Sequence, residues 1–83
     1  MGKVENSMPL YYFHIRSNGR RYDDLEGSEY SDNEAALRDA RISARELSAD
    51  RLRRGVTTEG ELFEIQDATG ELVGTVRFPR TIE

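Results

Sequence analysis

Cysteine is absent from the sequence, so neither disulfides nor thiolate metal sites can stabilise this chain or act in it. Such a chain suits a reducing interior, and a cytoplasmic location is the expectation. Tryptophan is missing too, and His14 is the only histidine. One imidazole cannot build a histidine metal site within a single chain, nor a pairing with a cysteine nucleophile. No run approaches the ~20 apolar residues that cross a bilayer. The polar start, residues 1–7, lacks the apolar stretch of an export signal. The seven glycines are scattered, and no G-x-G-x-x-G or Walker pattern occurs. Nothing therefore marks a catalytic centre, a cofactor or a small-molecule substrate, and none is expected.

What is present suffices for one core. The 83 residues are 36% hydrophobic and 34% charged, with three Phe and four Tyr to supply large side chains. A chain of this length buries roughly two-thirds of its unfolded surface and has no room for a second core. Residues 1–7 read as a flexible extension and 8–83 as one domain. The formal charge of −4 repels nucleic acid and anionic lipid on average, although a local patch can override a mean.

Residues 10–16, Leu-Tyr-Tyr-Phe-His-Ile-Arg, carry the strongest strand signal, being rich in aromatic and β-branched types. Alternation across the pleat sends Tyr11, Phe13 and Ile15 toward a core and Leu10, Tyr12, His14 and Arg16 the other way. Asn18-Gly19 supplies the positive φ angles of a two-residue type I′ hairpin, so a second strand starts near Arg20 and runs to about Asp24. The acidic stretch 23–29 lacks periodicity and reads as a loop. Ser31 and Glu34 have capping-box spacing, with Ser31 as N-cap. No Pro or Gly intervenes from there to Arg54, and at 100° per residue Ala36, Leu37, Ala40, Ser43, Ala44 and Leu47 line one helical face. Gly55 is placed to cap the helix end. After a Thr/Gly loop, residues 61–66 form a third strand with Phe63 and Ile65 on one face. Asp67 and Gly70 take the outer positions of a type I turn, and a fourth strand covers 71–78. The expected fold is a single α+β domain of β-β-α-β-β order: an antiparallel sheet of two hairpins with one amphipathic helix packed on one face.

Several of these positions, Pro9-x-Tyr11-x-Phe13-His14-Ile15, the Asp24-x-x-Gly27 loop, Ala36-x-x-x-Ala40 and Phe63-x-Ile65-x-Asp67-x-x-Gly70, resemble a family of short alphaproteobacterial proteins classed as a domain of unknown function. The likeness runs from Met8 to about Phe78. Members of that family usually begin at the equivalent of Met8, which implies that residues 1–7 are a leader. The resemblance supports the two-hairpin fold and implies no activity. A looser similarity joins the first hairpin and the start of the helix to the antitoxin half of certain toxin–antitoxin pairs, but their Pro-Asp-x-Pro-Gly-Cys segment is absent.

One helix covers one face of a four-stranded sheet, which leaves Leu10, Tyr12, His14, Leu62 and Leu72 as a candidate protein interface on the other. That face, and a core thin for the chain length, point to a non-enzymatic protein-interaction module. It is expected to be a homodimer, or to bind another protein, through the open face or an edge strand. His14 is read there as a structural or interface residue. Asp23, Asp24, Glu26 and Glu29 lack the spacing of a calcium loop and read as a solvated acidic segment. The alternative is a nucleic-acid-binding regulator. Arg38, Arg41 and Arg45 fall within a ~60° sector away from the core stripe. Arg16, Arg20, Arg21, Arg77 and Arg80 could converge if the first and last strands are neighbours. Against that alternative, Asp39, Glu46 and Asp50 flank the ridge, and Glu34–Arg38 and Asp50–Arg54 have the spacing of ordinary helix pairs. Ala35, Ile42 and Ala49 recur every seven residues, as a helix–helix seam would. An antitoxin-like partner protein is the third reading.

Overall fold

A computed structural model describes residues 8–55 and 60–79, so the expectations for 1–7, for the Thr/Gly loop at 56–59 and for Arg80 lie outside the described residues. Strand β1 (Leu10–Ser17) turns through Asn18 and Gly19, at φ 54° and 78°, into β2 (Arg20–Tyr22), and Ser17 faces Arg20 across the two-residue turn. Both turn residues are left-handed, as a type I′ hairpin requires. β2 ends before Asp23, earlier than its sequence suggests. A two-residue strand that the sequence does not announce, β3 (Ser28–Glu29), then pairs with the start of β1, Leu10 opposite Glu29. Helix α1 (Asn33–Arg53) and the hairpin of β4 (Leu62–Asp67) and β5 (Leu72–Arg77) complete the chain.

The sheet is antiparallel, in the order β2-β1-β4-β5, with β3 sharing the outer edge of β1 with β2. The two hairpins therefore meet along β1 and β4, from Tyr11 opposite Asp67 to Arg16 opposite Leu62. β4 stands between β1 and β5, so the first and last strands are not side by side as the convergence of hairpin arginines would need; Arg16 and Arg77 instead stand opposite Leu62 from its two sides.

The core follows the predicted pleat. Tyr11, Phe63, Ile65 and Phe78 are buried beneath the helix, with Phe13, Ile15, Val73 and Val76 packed around them. Aromatic rings run through it in a chain: Tyr30 stacks on Phe13 at 5.7 Å, Phe13 meets Phe63 at 5.5 Å, and Phe63 meets Phe78 at 4.8 Å. Tilted and offset rings add about 0.5–1.5 kcal/mol per pair beyond their buried area. Over these large rings the helix contributes small residues, Ala36, Ala40, Ala44 and Ser48. Bulk on the sheet and little on the helix let the two layers close.

The helical contact line differs from the expected stripe. It follows the i,i+4 row 36-40-44-48, whereas Ser43 is half-buried and Leu47 is 37% exposed. That row is inclined to the helix axis and so drifts round the wheel instead of keeping to a straight sector. The cap differs too. Asp32, in extended conformation, is the N-cap, and its Oδ1 accepts the Ala35 N–H at 2.8 Å. With Ala35 at the third helical position, the Ser31–Glu34 capping box does not form. At the other end Gly55, at φ 78°, donates its N–H to the Leu52 carbonyl.

Candidate functional site

The surfaces that could bind something are the two edges of the sheet, its far face, one cleft and the outer side of the helix. At the β1 edge, β2 and β3 leave a gap between them that the Asp24 carboxylate fills. Its Oδ2 accepts the Phe13 N–H at 3.0 Å, and its Oδ1 accepts those of Glu26 and Gly27 at 3.2 and 3.1 Å. Burial opposes ionisation there, but the three N–H donors outweigh it and hold the Asp24 carboxyl below the usual range. The Asp24 N–H in turn donates to His14 Nδ1 at 3.0 Å. Nδ1 is thereby the acceptor, the proton sits on Nε2, and Nε2 donates to the Gln66 Oε1 at 2.9 Å. Gly27 closes the loop at φ 74°, where a Cβ would stand 2.8 Å from the Tyr12 ring. Asp24 is therefore a backbone-binding clasp on β1, a correction to the solvated reading of this stretch, while Asp23, Glu26 and Glu29 are exposed; among the described residues no cluster of three or more potential metal ligands occurs.

This clasp reaches onto the face away from the helix. His14 is only 7% exposed, and Tyr12 stacks beside it, ring planes 7° apart. Further along, Arg16 donates to Glu64 at 2.9 Å and Arg21 approaches it at 3.7 Å; these contacts, Arg16's hydrogen bond foremost, hold the Glu64 carboxyl low. The five candidate interface residues are thus dispersed: Tyr12 and His14 lie under the clasp, Leu10 and Leu62 stand at opposite ends of the β1–β4 ladder, and Leu72 is exposed on β5. Polar pairs occupy the ground between them.

A cleft of about 310 Å³, lined by Ile15, Ser17, Tyr22, Arg51 and Glu61, opens near the C-terminal end of the helix. Its polar side chains are committed to one another. Ser17 donates to Glu61 at 3.0 Å, Arg51 forms an ion pair with Glu61, and the Arg51 guanidinium lies 5.4 Å over the Phe78 ring. Near the other end the Tyr30 hydroxyl donates to Asp39, and burial together with that bond pushes the phenol up to about 12.

The opposite edge of the sheet is different. Among the described residues no strand pairs with β5 on the side away from β4. The Phe78 N–H bonds to the Glu61 carbonyl at 3.0 Å, and Val76 and Gly74 stand opposite Phe63 and Ile65. Antiparallel alternation then turns the N–H and C=O of Thr75 and Arg77 outward. Among the described residues nothing covers them as Asp24 covers Phe13. β5 runs for six residues with neither proline nor lysine; a register shift opposite its start and the charge of Arg77 at its end leave Thr75 between them. The sequence hides this surface, because an edge exists only once strand order is known.

On the helix, Arg38, Arg41 and Arg45 are exposed, and none has a described carboxylate within 4 Å. The Asp50–Arg54 pair forms at 3.4 Å, while the expected Glu34–Arg38 pair does not. Ile42 is 49% exposed between half-buried Ala35 and Ala49, so the seven-residue repeat presents one large apolar side chain. No described helix is long and apolar enough to cross a membrane.

Compared with known proteins, residues 10–79 match the model of a family described as a domain of unknown function (DUF6894), a span that takes in the Asp24 clasp, the helix and both sheet edges. No curated protein and no solved structure matches.

Proposed function

The chain belongs to the family described as a domain of unknown function (DUF6894), and from that premise, which brings no activity with it, we propose that it is a small non-enzymatic protein-interaction module whose β5 edge accepts a strand from a partner. The observation that carries this reading is the contrast between the two edges. One is paired with β2 and β3 and clasped by Asp24; the other, among the described residues, leaves the backbone of Thr75 and Arg77 without a partner strand. An added strand supplies affinity through main-chain hydrogen bonds and specificity through alternate side chains. The far face is the weaker surface, since His14, Arg16 and Glu64 spend their polar groups within the chain.

A short neutral peptide of alternating valine and glutamine tests the reading. Binding should shift the amide resonances of Thr75 and Arg77 more than those of Gly74 and Val76. Thr75→Pro removes one outward donor at a site where an edge strand tolerates proline; it should abolish binding while leaving the fold intact. Shifts spread over the Tyr12 and His14 face would refute the edge.

A second reading rests on the three exposed helix arginines, which could neutralise phosphates of a nucleic acid. Titration with duplex DNA and RNA at two salt concentrations decides it, because each phosphate contact contributes to a negative slope of log K against log salt. Binding without such a slope, or no binding, removes it.

A further inference from the structure

The charge around β5 says what kind of strand it takes. Leu37 lies against Gly74 of β5, where a Cβ would meet its Cδ2 at 3.1 Å, and Asp39, two residues on, meets Tyr30 on the β1 side. Turning from Leu37 away from the core at 100° per residue brings Arg41, Arg45 and Arg38 in succession. By this projection Arg41 comes nearest the open edge on the helix side, with Arg45 and then Arg38 farther round toward solvent. On the far face Arg77 shares the side of its partner Leu62 and is exposed. Among the described residues Glu34 is exposed on the same side of the helix, between Arg41 and Arg45 in projection but near the helix start, and Glu71 is exposed just before β5. An incoming strand thus places its alternate side chains against arginines above and, toward the end of β5, below.

Resting on the strand-accepting edge proposed above, we infer that the partner is an acidic extended segment, with carboxylates on the side chains that face Arg41 and Arg45. A second copy of this chain fits less well. Antiparallel pairing of β5 with β5 puts both helices on one face of the joined sheet and turns the two arginine flanks toward each other, and like charges brought together oppose association. An acidic strand meets the same arginines with the opposite sign.

The test compares two short peptides, alternating valine–glutamate and alternating valine–glutamine, followed by the amide signals of Thr75 and Arg77. At low salt the acidic peptide should bind about tenfold more tightly, the sum of a few exposed ion pairs, and salt should erase that advantage. Arg41→Gln with Arg45→Gln should remove the preference and keep binding of the neutral peptide, which also serves as the check on folding. Equal affinity for the two peptides overturns the acidic partner and leaves the edge reading standing. No perturbation of Thr75 and Arg77 by either peptide overturns both. If Thr75 and Arg77 become protected with rising protein concentration and no peptide, the occupant is a second copy and the inference fails. If duplex DNA displaces the acidic peptide from the arginines without touching the Thr75 and Arg77 amides, those arginines serve phosphates and the inference fails as well.

Discussion

At the scale of single residues, Asp24 and Gly27 work as one device. The aspartate ties the loop to the Phe13 N–H, and the glycine lets the chain turn beside the Tyr12 ring, where a Cβ would come within 2.8 Å. Gly27→Ala should cost about 2–3 kcal/mol, combining a left-handed backbone with a ring that must move. Gly19→Ala, left-handed but with nothing within 4 Å, should cost about 1 kcal/mol. Urea midpoints measure both, and equal costs would mean that the ring contact does not matter. Ser48 gives the opposite sign. It is fully buried, and among the described residues its Oγ has no hydrogen-bond partner. Ser48→Ala should therefore raise stability by about 1 kcal/mol, since a buried unpaired hydroxyl is costly and alanine suits a helix better. A loss on denaturant titration would show that the hydroxyl is bonded after all. The sequence shows Asp24-x-x-Gly27 only as an acidic loop, because its purpose depends on a gap between β2 and β3 that no local pattern encodes.

At the scale of elements, the type I′ turn at Asn18-Gly19, the glycine cap at Gly55 and the alternating cores of β1 and β4 are legible because each depends on near neighbours in the chain. The helix was legible in length but not in phase. Leu47 is the larger apolar residue, yet Ser48 is buried and Leu47 exposed, since the sheet is met by the i,i+4 row 36-40-44-48. Its start lies one residue later than the capping-box pattern implies, because Asp32 competes with Ser31 for the same role and bonds the Ala35 N–H. Asp32→Ala should cost about 1 kcal/mol, and Ser31→Ala about 0.5 kcal/mol or less. Thermal unfolding of the two variants gives the order, and a reversed order would return the cap to Ser31.

At the scale of the molecule, the fold class could be read from hydrophobic pattern and turn chemistry, whereas strand order could not. Order decides which hydrogen-bonding edge is left over, so the candidate surface came from the structure. The same long-range pairings set the response to acid. Asp24, Glu64 and Asp67 are all held below their ordinary carboxyl values by the donors around them. A carboxyl lowered in the fold contributes stability that is complete above its unfolded value near 4 and is lost as pH falls through the folded value. The urea midpoint should thus decline from about pH 5 downward, and Asp24→Asn should flatten part of that decline. A midpoint that holds constant to pH 3 would contradict these assignments.

The proposed function requires β5 to be an open edge, and amide hydrogen exchange of the isolated chain at low concentration reads that most directly. Thr75 and Arg77 should exchange rapidly, while Gly74, Val76 and Phe78, bonded to β4, exchange slowly. Protection of Thr75 and Arg77 equal to that of Val76 in the monomer would mean that the edge is already filled.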